Sequence, residues 1–470
     1  MLRLMEGEHL DTQHKAQQVN FDRSKYGAFA EIGAGQEVAR WFFRAGGAAG
    51  TISKSMSAYD MTVSDAIYGP AERYVSRQRL NKMLEHEYEL MYERLAKQRG
   101  NTTKFFVFAD TVAARSYTRK EDGQGWMGIR FQAEPLAPPN DIIIHVRLLD
   151  QDNLLQQEAL GVVGVNLIYG AMYLHEHPEK LISTLLDNLS PNRVEVDMIK
   201  FTGPIFEKVD NRVMSLQLVQ QGLTNAAMFN ADGEVVNAGD MLYKKPVLIE
   251  RGSFRPVTKT TLHMLQSAMA QFTEDPQVQG EEVAVLFEMT LKNLTDSGMI
   301  DHKDFLERVD MLSAVGKTVM VSNYAEYHRL ASYLFRHTKK PVGVVMGVPT
   351  LKELFEEKYY TDLEGGILES FGRLFKNALK LYVYPFKEPA NNCILTASNL
   401  RVAPHLAHLY SYLLENQSII PLRDYNEENL SIFSRDALAK IRAGDSQWEP
   451  MVPPQVSKMI KERKLLGYGG

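Results

Sequence analysis

The chain has 470 residues and a formal net charge of -5; 44% of its residues are hydrophobic and 24% are charged. These proportions are those of a globular protein, so they exclude a disordered chain, a collagen-like repeat and a disulfide-rich scaffold. The 53 basic residues are balanced by 58 acidic residues, which argues against a dedicated nucleic-acid binder. The length predicts about three structural units, or two large ones.

The cysteine content and the start of the sequence indicate in which cellular compartment the protein is expected. A lone Cys393 cannot form an internal disulfide, which favours a reducing environment. The N-terminus lacks an apolar core of signal-peptide length, and Glu6, Glu8 and Asp11 are foreign to transit peptides. No stretch approaches the ~18 apolar residues of a membrane-spanning helix. We therefore expect a cytoplasmic protein without a membrane partner.

The first hundred residues are predicted to be mostly helical. Apolar residues recur at helical spacing across residues 74–99, and Gly100 follows as a helix stop. Before this helix, residues 45–55 are rich in glycine, alanine and serine, which is typical of a flexible joint.

Beyond residue 104, predicted strands alternate with predicted helices. Strands are expected at residues 105–109, 126–132, 141–149 and 194–201, and the small-apolar run 160–165 also fits a buried strand. A second alternating stretch begins near residue 300, with strands at 317–323, 341–348 and 379–385. This alternation predicts an α/β protein with Rossmann-like, mainly parallel sheets in two lobes.

The predicted organisation has four segments. They are a helical N-terminal region (1–100), a first α/β lobe with a basic loop (101–300), a second α/β lobe (301–390), and a C-terminal helix and tail (391–470). The order of elements after Gly161 parallels the order after Gly343, which leaves open either a duplicated unit or an ordinary likeness between βαβ units. Trp448 and its neighbouring prolines predict a tail that wraps another surface.

Two glycine-bearing loops are candidates for phosphate binding. Gly33 and Gly35 precede a helix-like run, although Val38 stands where a dinucleotide fingerprint has its third glycine. The 46–55 loop carries Lys54, but Ser53 occupies the place of the glycine before the Walker lysine. The alternatives are a tight strand-to-helix turn for the first loop and a hinge for the second.

The densest basic segment lies between residues 243 and 261. It combines cationic side chains with hydroxyl groups at the start of a predicted helix, which is the chemistry of an anion site. The candidate phosphate-binding residues are Lys244, Lys245, Arg251, Ser253, Arg255, Thr258 and Lys259, together with Lys54. The alternative is a solvated basic loop that pairs with carboxylates of the same protein.

Carboxylates follow several predicted strands. In parallel α/β sheets, ligands bind beyond the carboxyl ends of the strands. We therefore assign Asp110 and Asp150 as candidate catalytic residues, and Asp150 and Asp152 as candidate ligands of Mg²⁺. Asp is also a common turn former and helix cap, so a structural role is the alternative.

Several segments of this sequence resemble an uncharacterised bacterial family. The resemblance rests on residues 31–40, residues 57–69, Tyr243-Lys-Lys-Pro with Arg251-Gly-Ser-Phe-Arg-Pro, and residues 362–369, and it spans nearly the whole chain. Members of that family are named either nicotinate-nucleotide adenylyltransferase or TonB-dependent receptor. The receptor name implies a signal peptide and a barrel, which this sequence does not predict. The adenylyltransferase name implies a His-x-Gly-His motif and a Ser-Thr-x-x-Arg signature, and both are missing here.

Two functional hypotheses follow. In the first, the protein is an enzyme, a nucleotidyl or other group transferase, that binds a nucleotide or another phosphorylated metabolite with the basic segment. In the second, it is a non-catalytic scaffold that forms a homo-oligomer through its N-terminal region and tail, with nucleotide sensing as a variant that combines both.

Overall fold

The computed structural model describes residues 10–115, 123–295, 298–389 and 391–469. Glu6 and Glu8, used above to exclude a targeting peptide, lie outside these ranges. The chain divides into two compact units, Met1–Asn225 and Ala226–Gly470. In the described ranges, no helix has the length and apolar character needed to cross a membrane.

The first unit combines one sheet with flanking helices. Its strands are β1 (Lys25–Ile32), β2 (Ile52–Met56), β3 (Lys104–Ala113), β4 (Gly123–Gln132), β5 (Pro139–Leu148) and β6 (Val194–Thr202). Its helices are α1 (Thr12–Phe21), α2 (Glu37–Ala45), α3 (Met61–Tyr68), α4 (Arg77–Arg99), α5 (Asn153–Tyr173), α6 (Pro178–Thr184) and α7 (Asn211–Gln220).

The first sheet has the strand order β2-β1-β3-β4-β5-β6 within the described residues. The strands β2, β1 and β3 run parallel, whereas β3 to β6 form an antiparallel meander. The parallel half places the ends of β1 and β3 at one edge, where Glu31 lies level with Asp110.

The prediction of a strand at residues 160–165 is wrong, because this run lies inside the helix α5. Its glycines allow close helix packing: a Cβ atom on Gly164 would lie 2.3 Å from a methyl carbon of Val38 on α2, and one on Gly161 would lie 3.1 Å from Trp41. The helix is buried on most sides, which explains why its sequence looks like a buried strand. The suggested parallel with the segment after Gly343, which is a true strand, therefore fails.

The second unit contains a larger sheet. Its strands are β7 (Ala226–Phe229), β8 (Val235–Val236), β9 (Val247–Arg251), β10 (Ala284–Thr290), β11 (Thr318–Ser322), β12 (Val342–Gly347), β13 (Leu379–Tyr384), β14 (Phe386–Lys387), β15 (Ile394–Leu395) and β16 (Ile419–Pro421). Its helices are α8 (Ala238–Leu242), α9 (Lys259–Phe272), α10 (Leu291–Thr295), α11 (His302–Ala314), α12 (Tyr327–His337), α13 (Val348–Leu354), α14 (Gly366–Leu374), α15 (Ala407–Glu415), α16 (Ser434–Ala443) and α17 (Pro454–Arg463).

The second sheet has the order β16-β13-β12-β9-β10-β11-β7-β8 in the described part of the chain. From β16 to β11 every pairing is parallel, and β7 is antiparallel to β11. The chain starts the parallel set at β9, adds β10 and β11 on one side, and then crosses to add β12, β13 and β16 on the other. This is the doubly wound Rossmann arrangement, and its order reverses between β9 and β12. The predicted α/β class with mainly parallel, Rossmann-like sheets is confirmed, with most of the parallel pairings in the second sheet and an antiparallel meander in the first.

The structure divides the chain differently from the four predicted segments. Residues 1–100 are not a separate helical region, because β1 pairs with β3 over its whole length. The division at residue 225 falls inside the predicted first lobe, since β9 and β10 pair with each other and with strands of the second sheet.

The predicted C-terminal tail also packs differently. Trp448 is buried and lies 5.9 Å from the Tyr468 ring, while the backbone N–H of Leu466 donates to Glu307 of α11. The tail therefore covers its own unit.

Candidate functional site

A cavity of about 430 Å³ opens at the carboxyl edge of the second sheet. Its walls come from the segments that follow β9, β10, β11 and β12, the strands that flank the reversal of strand order. In open α/β sheets this is the place where ligands bind. The volume lies within the range of small-molecule sites. We call this cavity the switch-point crevice.

Arg251, at the end of β9, forms one wall of the crevice and is held in place by Glu288. Its Nε donates to Oε2 of Glu288 at 2.8 Å and its Nη2 to Oε1 at 2.9 Å, while Nη1 donates to the carbonyl of Ala325 at 2.8 Å. Ser322 also donates to Oε1 of Glu288, at 2.5 Å. Burial alone would lower the pKa of Arg251, but the Glu288 carboxylate outweighs it and the pKa is raised. The guanidinium is therefore a fixed cation.

The first residues of α12 supply an aromatic ring and an imidazole to the crevice. The guanidinium of Arg251 lies 4.3 Å from the centre of the Tyr327 ring, and burial raises the pKa of Tyr327 to about 12. His328 is 3% exposed, and its Nδ1 lies 3.2 Å from the hydroxyl of Ser370. Its Nε2 is buried and has no hydrogen-bond partner among the described residues. Burial lowers the pKa of His328, so the ring is neutral near pH 7.

Further groups complete the lining. Lys292 is exposed, Thr290 and Asn293 follow β10, and Glu353 comes from α13. The Tyr359 ring is 51% exposed. The crevice thus combines two cations, the carboxylates of Glu326 and Glu353, aromatic faces and hydrogen-bonding groups. The cations, aromatic faces and polar groups are the chemistry that recognises phosphate, base and ribose.

The remaining residues of the predicted basic site do not gather in this crevice. Arg255 pairs with Asp304 at 2.6 Å and Lys245 with Glu282 at 2.5 Å. Lys244 and Lys259 are exposed, and Lys244 lies over the Tyr243 ring. These ion pairs match the alternative of a basic loop paired with the protein's own carboxylates.

The two hydroxyl residues of that predicted site have structural contacts. The carbonyl of Ser253 accepts from the buried Arg308 at 3.2 Å. Thr258 is the N-cap of α9, and its hydroxyl accepts from the backbone N–H of Thr261 at 3.3 Å. Of the predicted phosphate-binding residues, Arg251 lines the switch-point crevice.

In the first unit, the candidate catalytic residue Asp110 is fully buried beside Glu31. Oε2 of Glu31 accepts from the backbone N–H of Val38 at 3.0 Å and Oε1 from that of Ala39 at 2.8 Å. Glu31 therefore takes N–H groups at the start of α2 that a phosphate would need. Burial raises the pKa of Glu31 to about 7. Burial and the charge of Glu31 hold the pKa of Asp110 well above its usual range.

Asp150 and Asp152 have structural partners. Oδ2 of Asp150 accepts from Nε of Arg193 at 2.8 Å, and Asp152 caps α5 by accepting from the N–H of Leu154 at 2.8 Å. The described residues contain no group of three His, Cys, Asp or Glu side chains that could hold a metal ion. The expected Mg²⁺ site therefore stays a prediction. Lys54 pairs with the buried Glu87.

Sequence reasoning missed Glu288, Tyr327, His328 and Tyr359. Glu288 had a usable signal, because a charged residue inside the apolar run Val285-Leu-Phe-Glu-Met needs a buried partner. Tyr327 and His328 follow a predicted strand, as Asp110 does, but aromatic residues are common in cores and carried no separate signal.

No family model and no curated protein sequence matches this chain. Among solved structures, the competence/damage inducible protein CihA from Agrobacterium tumefaciens is similar at 14% identity, covering 36% of this chain and 97% of that protein, with a TM-score of 0.25. A CinA superfamily protein from Enterobacter cloacae is similar at 12% identity, with 37% and 98% coverage and a TM-score of 0.25. The nicotinic acid mononucleotide adenylyltransferase of Plasmodium falciparum is similar at 12% identity, with 48% and 98% coverage and a TM-score of 0.28. At these TM-scores the similarities assign no function to the chain.

Proposed function

We propose that the second unit binds a nucleotide or another phosphorylated metabolite in the switch-point crevice. The observation that carries the proposal is the position of a cavity of about 430 Å³ at the reversal of strand order, with Arg251 fixed in its wall. Ligands of doubly wound sheets bind at this position. Arg251 and Lys292 would hold the phosphate, and Tyr359 would stack on the base.

His328 has a defined part in this proposal. A buried, neutral imidazole nitrogen without a partner loses the hydrogen bond that it would make in water. A ligand hydroxyl or amide that reaches Nε2 of His328 restores it. The ring thus recognises a neutral polar group, while the two cations recognise the phosphate.

Group transfer, the activity predicted from the sequence, would have to use this crevice. Asp110 and Asp150 belong to the first unit and are engaged there by Ile32, Arg193 and Gln156. A transfer reaction in the second unit would rely on the carboxylate of Glu353 and the imidazole of His328. In the same proposal Glu353 is the crevice carboxylate that would hold Mg²⁺, and the metal would offset the negative charge of the ligand's phosphates.

Isothermal titration with AMP, ADP, ATP and ribose 5-phosphate, each with and without Mg²⁺, tests the proposal. We expect Tyr359→Ala to weaken nucleotide binding by about tenfold, since base stacking on an aromatic ring contributes ~1–3 kcal/mol. Tyr412→Ala is the matched control, because Tyr412 is 60% exposed on α15 and does not line the crevice. Absence of binding for the whole panel, or equal losses in both variants, would contradict the proposal.

Homo-oligomeric assembly stays the alternative prediction. The tail that was expected to dock on a neighbouring subunit packs on its own unit through Trp448 and Leu466. Light scattering of the full chain at micromolar concentration distinguishes a monomer from a defined oligomer.

A further inference from the structure

A second cavity, of about 660 Å³, lies at the opposite edge of the second sheet. One side is the last half of α12, with Phe335 and Arg336. The other side is the end of α14 and the segment that leads into β13, where Asn377 and Ala378 lie. Since β12 and β13 are parallel neighbours, both walls meet at the amino ends of these strands. We call this cavity the basic groove.

The lining of the basic groove is cationic. Arg336, Lys339, Arg373 and Lys376 line it, and no acidic residue does within the described residues. A carboxylate reaches in from outside, because Glu369 pairs with Arg373 at 2.5 Å. The whole chain carries a net charge of -5, so this concentration of positive charge runs against the average of the protein.

Helix ends explain three of these cations and leave Lys376 unexplained, because Lys339 donates to a carbonyl in the last turn of α12. Arg336 and Arg373 lie in the last turns of α12 and α14, where the helix dipole favours positive charge. Lys339 and Lys376 lie beyond the ends of those helices, in the segments that enter β12 and β13. Lys339 donates to the carbonyl of Phe335 at 3.2 Å, which turns its ammonium group back towards the groove.

We infer that the basic groove binds a small ligand that carries two or more phosphate groups. Four cations converge on one cavity from two elements, and the hydroxyl of Ser332 and the amide of Asn377 add hydrogen-bonding groups. A volume of about 660 Å³ suits a small molecule. This inference is independent of the proposed function, because the residues that line the groove and the crevice are different.

The helix α12 separates the two cavities. Its first residues, Tyr327 and His328, line the switch-point crevice, and its last turn lines the basic groove. Eleven residues of α-helix span about 16 Å. The helix α14 also lines both cavities, with Ser370 and Leu374 in the crevice and Arg373 in the groove. A ligand in the groove therefore contacts the same two helices as a ligand in the crevice.

Titration of the full chain with inorganic tripolyphosphate tests the inference. We expect binding that weakens as the salt concentration rises, because exposed charges are screened. The double variant Lys339→Gln/Lys376→Gln should weaken this binding by about tenfold or more, since hydrogen bonds to charged groups are strong. The matched control is Lys303→Gln/Lys458→Gln, which removes the same charge from side chains that are 81% and 74% exposed on α11 and α17.

The variants separate the two cavities and the competing explanations. Loss of tripolyphosphate affinity in Lys339→Gln/Lys376→Gln but not in Lys292→Gln assigns this ligand to the groove rather than to the crevice, so a failure of the crevice proposal does not affect this test. The inference is overturned if the wild type does not bind tripolyphosphate, or if the control variant loses as much affinity as the groove variant. It is also overturned if the groove variant melts earlier with unchanged affinity, which would assign the lysines to helix stability. Binding of a single-stranded RNA without binding of tripolyphosphate would overturn it in favour of a macromolecular partner.

Discussion

The two units place charged residues at equivalent positions and use them in opposite ways. In the first unit, Glu31 near the end of β1 lies level with Asp110 on the parallel neighbour β3. In the second unit, Arg251 at the end of β9 lies level with Glu288 on the parallel neighbour β10. One pair is two acids and the other is a cation with an acid, on otherwise similar strand edges.

The difference decides what each edge can bind. Two buried acids share an edge by holding protons, and Glu31 also occupies the N–H groups at the start of α2. That edge therefore supplies no cation and has lost the N–H donors that a phosphate would need. In the Arg251–Glu288 pair the guanidinium keeps its charge and lines an open crevice. A glycine-bearing turn after a strand is therefore not sufficient for anion binding. The charge at the end of that strand also depends on the residue at the same level of the neighbouring strand.

The largest effect is expected from breaking the Arg251–Glu288 pair. Glu288→Gln leaves a buried guanidinium without its counter-charge, and this costs about 3–5 kcal/mol of the free energy of unfolding. Urea denaturation of the full chain measures the change. The control is Arg423→Ala, which breaks an exposed pair with Glu274 and should cost less than about 1 kcal/mol. If the two variants lose a similar free energy of unfolding, the Arg251–Glu288 pair is no more important than an exposed pair, and its contrast with the Glu31–Asp110 pair is not supported.

A smaller effect is expected at the turn that brings α2 onto Glu31. Gly33 has φ = +107°, and a Cβ atom there would lie 1.9 Å from the carbonyl oxygen of Val112. Gly33→Ala should therefore cost about 3 kcal/mol, from backbone strain and steric overlap together. Gly46→Ala is the control, since its φ is +78° and no atom lies within 4 Å of the added methyl group; it should cost about 1 kcal/mol. Equal urea midpoints for these two variants would show that the turn is not fixed by β3.

The strands β3 to β6 of the first unit and β11, β12 and β13 of the second were predicted from the sequence, whereas β2, β9 and β10 were not. The run from Val342 to Gly347 is short, apolar and β-branched, and it is a strand as predicted. The run from Leu160 to Val165 has nearly the same composition and is helical, because Gly161 and Gly164 let α5 pack tightly on α2. Local pattern cannot separate these cases, since the partner of each segment is distant in sequence.

The residues of the switch-point crevice were also only partly predictable from local sequence pattern. The run of cations around Arg251 could be recognised in the sequence. No residue near Arg251 shows, however, that its guanidinium donates to Glu288, which lies on the next strand after an intervening helix. The positions of His328 and Tyr359 in the crevice could not be predicted, because a single residue of a common type forms no sequence motif. The crevice exists only after four strands align, so it is a property of topology rather than of any motif.

The smallest effect concerns the protons held by the first unit. Burial raises the pKa of Glu31 to about 7 and that of Asp110 well above its usual range. Both acids therefore bind protons more tightly in the folded chain than in the unfolded chain, so stability that is present below about pH 4.5 is lost as the pH rises towards 7.

Asp110→Asn tests this pH dependence. The amide keeps an oxygen for the N–H of Ile32, which donates to Asp110, and removes a buried carboxyl group whose ionisation the folded chain disfavours. We expect the variant to gain about 1 kcal/mol over the wild type at pH 8 and nothing at pH 4.5. Urea denaturation at the two pH values measures both differences. Asp141→Asn is the control and should lose stability at pH 8, because Asp141 pairs with Arg130 at 2.8 Å. If both variants lose stability at pH 8, Asp110 acts as a charged group and the contrast between an acid pair and an ion pair is wrong.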